Sequence, residues 1–177
     1  MAVQIAFLRG ISVSGRRMIP MRELQRVVED AGFAGARIFL QTGNVLLPGD
    51  MPAADARRTL EAAITAAFGH DVPVAVRPAA AVRAAVEACP FDTPEGVVVY
   101  AALWVEPPDP ERLATLATGL PATDDALAVG DGHVYVQYRG GVHTSPLSNG
   151  LLERRLRVAL TSRNLNTLRR LAELAGV

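Results

Sequence analysis

Apolar positions along this chain switch between two rhythms. Val3 to Leu8 is a run of strand length, and it gives way at Arg9 to a stretch rich in Gly, Ser and Arg that lasts to Ile19. Pro20 suits the first turn of a helix, after which Met21, Leu24, Val27, Val28 and Ala31 share one helical face. Gly32 supplies a left-handed stop, and Phe33 can fold back on the last turn. Arg37 to Leu40 and Val45 to Leu47 read as a strand pair around Gln41-Thr42-Gly43-Asn44, where Gly-Asn favours a tight turn. Leu60, Ala63, Ile64, Ala67 and Phe68 mark a second amphipathic helix closed by Gly69, and Val72 to Val76 a further strand. Residues 1–77 therefore read β-α-β-β-α-β, the split pattern of a ferredoxin-like unit.

The order then repeats, although the sequence does not. A short helix near 79–88 links the halves, with 78–96 as the connecting segment. Val97 to Val105 is a continuous apolar strand. Asp109 and Pro110 make a helix start, followed by Leu113, Leu116 and Ala117. Ala126 to Val129 and Val134 to Tyr138 flank Gly130-Asp131-Gly132, a hairpin signal. Leu151, Leu152 and Leu156 line one helix, and Leu165, Leu168, Leu171 and Ala172 another. The expected fold is α+β, two ferredoxin-like units, 1–77 and 97–177. The second unit is expected to lack or shorten its last strand and to end in two helices.

Composition narrows the class. The longest apolar run is nine residues, Val97 to Val105, whereas a membrane span needs about 20. No basic segment precedes the run Ala2 to Leu8, so no secretory signal is expected. Cys89 is the only cysteine, which excludes an intramolecular disulfide and a cysteine-built zinc site within one chain. A cytoplasmic location fits that usage. No cofactor and no metal is called for by any motif.

The net charge is zero but unevenly spread. Residues 1–50 carry six arginines against four acids, 51–150 six against twelve, and 151–177 six against two. Both ends are basic and the middle acidic; the counts fit internal charge complementarity and solvated helix faces, and the alternative is that the two ends meet to form an anion-binding surface. All 18 basic residues are arginine, so lysine Schiff-base chemistry and a lysine-bearing phosphate loop are excluded.

In a βαββαβ unit the loop after the first strand and the hairpin between the second and third emerge at one end. Arg9 and Gly10 should then lie near Gly43 and Asn44, with Gln41 in the same bend. Arg9, Arg16 and Arg17 can fork onto phosphate or carboxylate, Ser12 and Ser14 add hydroxyls, and Gly10 lets a ligand approach the backbone. The alternatives are a loop of solvated arginines and a Gln41/Asn44 pair that only shapes its turn. Near the C-terminus, Thr161, Ser162 and Asn164 offer cap oxygens to the last helix, while Arg163, Asn164 and Asn166 are candidates to reach a ligand. A Ser145-His143-Asp131 triad could be drawn, but there is no nucleophile elbow around Ser145.

Several segments together resemble the DUF1697 family, a conserved bacterial domain of unknown function. They are Phe7-Leu8-Arg9-Gly10-Ile11-Ser12-Val13-Ser14-Gly15, Met21-Arg22-Glu23-Leu24, Gly32-Phe33, Gln41-Thr42-Gly43-Asn44-Val45, and Thr161-Ser162-Arg163-Asn164-Leu165-Asn166-Thr167. The resemblance implies an α+β fold with ferredoxin-like halves and no established activity. The chain departs from the family pattern at Ser12 and Ser14, at Leu165 where tryptophan is common, and at Pro146 where a lysine is usual. If that lysine serves a shared function, this chain has lost it or replaced it.

The functional expectation is binding of an anionic ligand, such as a nucleotide or single-stranded nucleic acid. A small-molecule enzyme acting on a phosphorylated or carboxylated metabolite and a structural or oligomerising protein are the alternatives. Sparse aromatic residues, 5 % of the chain, weigh against an RNA reader that stacks bases on a sheet.

Overall fold

A computed structural model of the chain describes residues 3–11 and 18–177. The chain divides into two compact units, one of residues 1–83 with 170–177 and one of residues 84–169.

In the first unit, β1 (Val3–Leu8), β2 (Arg37–Phe39), β3 (Asn44–Pro48) and β4 (Val74–Pro78) make an antiparallel sheet in the order β2-β3-β1-β4. Helices α1 (Met21–Asp30) and α2 (Ala53–Phe68) complete the ferredoxin-like pattern. Leu24 and Val28 of α1, and Ala56, Leu60 and Ile64 of α2, recur at intervals of four and are all buried. They meet Ala6, Leu8, Val45, Leu47, Val74 and Val76, the residues that the strand period places on one sheet face. The end of α1 follows its sequence signal. Gly32 N donates to Glu29 O at 3.0 Å and Phe33 N to Val28 O at 3.3 Å, which is a Schellman stop with the Phe33 ring buried behind it.

The second unit repeats the topology. Its strands β5 (Val98–Trp104), β6 (Ala126–Gly130), β7 (His133–Tyr138) and β8 (Leu160–Asn164) lie in the order β6-β7-β5-β8. Helix α3 (Ala79–Glu87) lies at the division between the units, α4 (Pro110–Ala114) and α5 (Asn149–Leu156) belong to the second, and α6 (Leu165–Leu174) closes the chain. Asp109 caps α4 as its sequence implies, its carboxylate accepting from Glu111 N at 2.8 Å and Arg112 N at 3.3 Å. Asp131-Gly132 forms the two-residue loop of the β6–β7 hairpin, with Gly132 at φ +86°.

One expectation needs correction. The second unit is not missing its fourth strand: β8 has five residues, as many as β4, and pairs with β5 from Trp104↔Leu160 to Tyr100↔Asn164. Only one helix follows it. The strand was hidden because Thr161-Ser162-Arg163-Asn164 is polar throughout and mimics a helix cap. The backbone nonetheless runs extended, and only Asn164 caps, its Oδ1 accepting from Asn166 N at 2.8 Å.

Each sheet is buried on both faces. In the first, Ile5, Phe7, Leu46 and Ala75 are buried although they alternate with the helix-facing residues. In the second, Ala102, Trp104, Val134, Val136 and Tyr138 pack with Leu116, Leu152 and Leu156, while Val99, Ala101, Leu103 and Tyr135 are buried on the opposite face. This is why β5 reads as an unbroken apolar run rather than an alternating one. Tyr135 and Gln137 reach the chain that precedes β5, their side chains donating to Ala85 O at 2.5 Å and Asp92 O at 2.7 Å. Among the described residues no helix is long and apolar enough to cross a membrane.

Candidate functional site

The loop after β1 and the β2–β3 turn meet at one rim of the first unit. Leu8 N donates to Gly43 O at 2.8 Å, and Phe7 pairs with Asn44. The turn needs unusual backbone at two places, Leu40 at φ +63° and Gly43 at φ +78°. Gly43 is required for a second reason as well. A Cβ built there would sit 2.5 Å from Ile11 Cδ1 and 2.9 Å from Leu8 Cβ. The loop is therefore seated directly on the turn. On its other side the rim is closed by Arg9 N, which donates to Pro73 O at 2.9 Å just before β4.

The rim residues divide into inward and outward groups. Asn44 is fully buried, and its Nδ2 donates to Phe39 O at 2.9 Å and Thr42 Oγ1 at 3.0 Å. It is a strand residue that pins the turn from inside. Gln41 and Gly10 are exposed and Arg9 is half-buried. Ser12, Ser14, Arg16 and Arg17 lie outside the described residues. Helix α1 follows this loop and begins without a side-chain cap at Pro20, so its first N–H groups are not closed off by a side chain of that residue. Beside Pro73, a cavity of about 250 Å³ is lined by Glu61, Thr65, Asp71, Val72 and Pro73. The rim thus has an acidic neighbour. One oxygen of Glu61 is engaged by Val74 N at 2.9 Å.

The C-terminal candidates belong to a separate group on β8 and α6. Arg163 is only 8 % exposed. Its guanidinium donates to Thr161 Oγ1 at 2.7 Å and Ser162 O at 3.0 Å. Burial lowers its pKa to about 10, which leaves it charged at neutral pH. Its side chain is part of the interior rather than displayed to solvent. Asn164 acts as the cap described above. Asn166 is exposed and accepts from Arg169 Nη1 at 2.7 Å.

The Ser145 hydroxyl is engaged by partners other than His143 and Asp131, the residues that would complete the drawn triad. Ser145 Oγ accepts from Leu147 N at 3.0 Å and bonds to Asp125. His133 Nδ1 lies 2.9 Å from Asp131 O, and its ring stands edge-on to Tyr135. Burial acts to raise the Asp125 carboxyl, and hydrogen bonds from Ser145, Arg139 N, Thr123 and Gly140 outweigh it, leaving the pKa below the ordinary 3.8. These groups hold the segment after β7 in place.

The family model described as "Protein of unknown function (DUF1697)" matches residues 1–135, most of the chain and all of the rim. The chain belongs to the DUF1697 family. A search of curated proteins gave no significant match. Among solved structures, the conserved bacterial protein SP0830 from Streptococcus pneumoniae is similar, with 16 % identity, a TM-score of 0.75 and 98 % of each chain covered. At that identity the likeness concerns the fold alone. The Thr161–Thr167 segment, which also carries family-like residues, lies beyond the matched range. Leu165, where the DUF1697 pattern commonly has tryptophan, is buried at the start of α6. Pro146 precedes Leu147, which is buried in the core of the second unit.

Proposed function

We propose that this DUF1697 protein binds a small anionic ligand of nucleotide size at the rim of its first unit. Arg9, Arg16 and Arg17 would hold the charge, Gly10 would allow close approach, and Gln41 would contribute an amide. The observation that carries the reading is the seating of the post-β1 loop on the β2–β3 turn, through Leu8 N to Gly43 O at 2.8 Å and Ile11 against Gly43. That seating joins the turn bearing the exposed Gln41 to the segment whose sequence runs on through Arg16 and Arg17 to α1. Forked guanidinium bonds and backbone N–H groups are the usual means of holding phosphate.

Two features favour a mononucleotide over an oligonucleotide. Ferredoxin-like RNA readers stack bases on an open sheet face, and both faces of this sheet are buried. The acidic cavity at Glu61 and Asp71 would repel an extended polyanion along the rim, while it can accept hydrogen bonds from a base.

Thermal-shift titrations with mononucleotides and with single-stranded oligonucleotides, each at low and high salt, test the reading. A mononucleotide should raise the Tm of the natural chain, and the Arg16→Gln/Arg17→Gln variant should lose the shift while keeping its own Tm. The reading fails if neither ligand class shifts the natural protein, or if the double variant responds as the natural protein does.

A further inference from the structure

We infer that the second unit carries its own binding site for clustered phosphate groups, in the arginine pocket between α4 and the end of α5. The pocket is lined by Arg112, Thr115, Leu116, Arg154, Arg155 and Arg157 and has a volume of about 270 Å³. Four of its six lining residues are cations and none is an acid. It is independent of the rim of the first unit.

Local structure explains how four like charges come to share one cavity. Arg112 follows the Asp109 cap on α4. Arg154 and Arg155 occupy the last turn of α5, and Arg157 is its C-cap at φ +56°. Leu116, 1 % exposed, is the apolar member of the lining. Arg155 is fixed by backbone oxygens, its guanidinium donating to Thr118 O and, at 2.7 Å, to Gly119 O. Arg112 Nη1 lies 3.4 Å from Arg155 O. Carbonyl oxygens orient these side chains without cancelling their charge. The pairs Arg57–Glu61, Arg58–Asp55 and Arg170–Glu173 include none of the four. The acid beside them on α5, Glu153, accepts from Leu160 N at 2.8 Å.

A structural role accounts for only part of this. Arginines in the last turn of a helix complement its dipole, which covers Arg154 and Arg155. Arg112 likewise ends α4, but the dipole does not explain its place beside the arginines of α5. Nor does the dipole explain Arg157, because a left-handed C-cap favours Gly or Asn and an arginine there is strained. Four guanidinium groups around one small cavity repel one another, and a ligand with two or more adjacent negative charges relieves that repulsion. The volume is at the lower edge of ligand pockets, which matches a phosphate or diphosphate group rather than a whole large ligand. Forked donors on several sides match tetrahedral phosphate oxygens.

Calorimetric titration of the full chain with pyrophosphate, orthophosphate and ADP, at ionic strength held constant with chloride, tests the assignment. The natural protein should bind pyrophosphate. Affinity should fall about tenfold for each arginine removed in Arg154→Gln and in Arg154→Gln/Arg157→Gln. Both side chains are exposed, so these variants should fold. Arg157→Gly gives a second check, since glycine relaxes the left-handed cap. It should raise the ligand-free Tm and still weaken pyrophosphate binding. ADP binding that is tighter than pyrophosphate binding and is weakened in Arg154→Gln/Arg157→Gln assigns the source to a nucleotide's phosphate chain, and equal or weaker binding assigns it to free phosphates. Pyrophosphate bound no better than chloride overturns the inference. So does affinity unchanged in the double variant, or affinity lost in Arg9→Gln and retained in Arg154→Gln/Arg157→Gln.

Discussion

Replacing Gly43 by alanine tests the geometry on which the rim depends. Two separate costs act at this position. At φ +78°, an L-residue incurs the left-handed backbone penalty of about 1–2 kcal/mol. The new methyl would also lie 2.5 Å from Ile11 Cδ1, 2.9 Å from Leu8 Cβ and 3.1 Å from Ile11 Cγ1. Ile11 Cδ1 is the tip of a half-buried side chain and can swing away. Leu8 Cβ cannot, because it is fixed to the β1 backbone, Leu8 is 1 % exposed, and Leu8 N is bonded to Gly43 O. Relief therefore requires moving the turn off β1, with loss of that hydrogen bond. Overpacking of this kind costs about 1–3 kcal/mol, so the total should be about 2–5 kcal/mol.

Urea unfolding followed by far-ultraviolet circular dichroism measures it. With a slope of about 2 kcal/mol/M, the midpoint should fall by roughly 1–2.5 M at unchanged slope. Gly32→Ala is the control, since it has φ +103° and no atom within 4 Å of where a Cβ would stand. It should lose only the backbone part, about 1–2 kcal/mol. Adding Ile11→Ala to Gly43→Ala should recover part of the steric cost and leave the Leu8 part. Equal losses in Gly43→Ala and Gly32→Ala would refute the close seating of the loop on the turn. Complete recovery by Ile11→Ala would refute the role given to Leu8.

Three further outcomes follow from groups away from the rim. Gly130→Ala, at a glycine with ordinary φ, would bring a methyl within 2.7 Å of His133 Cε1 and 2.9 Å of Cδ2, against a ring that is 2 % exposed; its urea midpoint should report a loss of about 1–3 kcal/mol from overpacking alone. Asp125 has a folded pKa below its ordinary 3.8, so its contribution is present above that value and disappears as pH falls through the lower folded pKa; the stability gap between the natural protein and Asp125→Asn should close in that acid window, and a gap constant with pH would contradict the assignment. Burial raises Tyr135 and Tyr138 from 10 to about 12, so folding favours the neutral phenols, their contribution is intact below pH 10, and it should be lost as pH rises toward 12; Tyr138→Phe should unfold at higher pH than the natural protein in an alkaline titration followed by circular dichroism.

The fold was legible wherever side-chain periodicity and backbone need agreed. α1 announced itself by Leu24 and Val28 on one face and by Gly32-Phe33 at its end, and all four residues do what that pattern implies. The β6–β7 hairpin was legible because Asp131-Gly132 is a turn with few alternatives. β8 was not, because the sheet supplies its pairing through backbone atoms that are the same for every residue. Its side chains, Thr161 to Asn164, carry cap-like chemistry that says nothing of the partner strand. Periodicity detects an element through what it buries, and a short polar edge strand gives it little to detect.

Site residues are harder to read because one residue type serves opposite ends. The sequence marks Arg163 and Asn44 as candidates by their chemistry, and the fold buries both and uses their hydrogen-bonding groups internally. It marks the arginine excess of residues 151–177 by its sign but not its location, since six arginines on solvated helix faces would give the same count. What turns an excess into a pocket is the connection that brings α4 beside the end of α5. There Leu116 packs in one core with Leu152 and Leu156, and Arg155 ties Thr118 and Gly119 across 36 or 37 residues of chain. A charge count is additive along the sequence, whereas a binding field depends on distances between charges. In the second unit, Arg112 and Arg155 are positioned by backbone carbonyls without losing their charge, and Arg154 and Arg157 share the same lining.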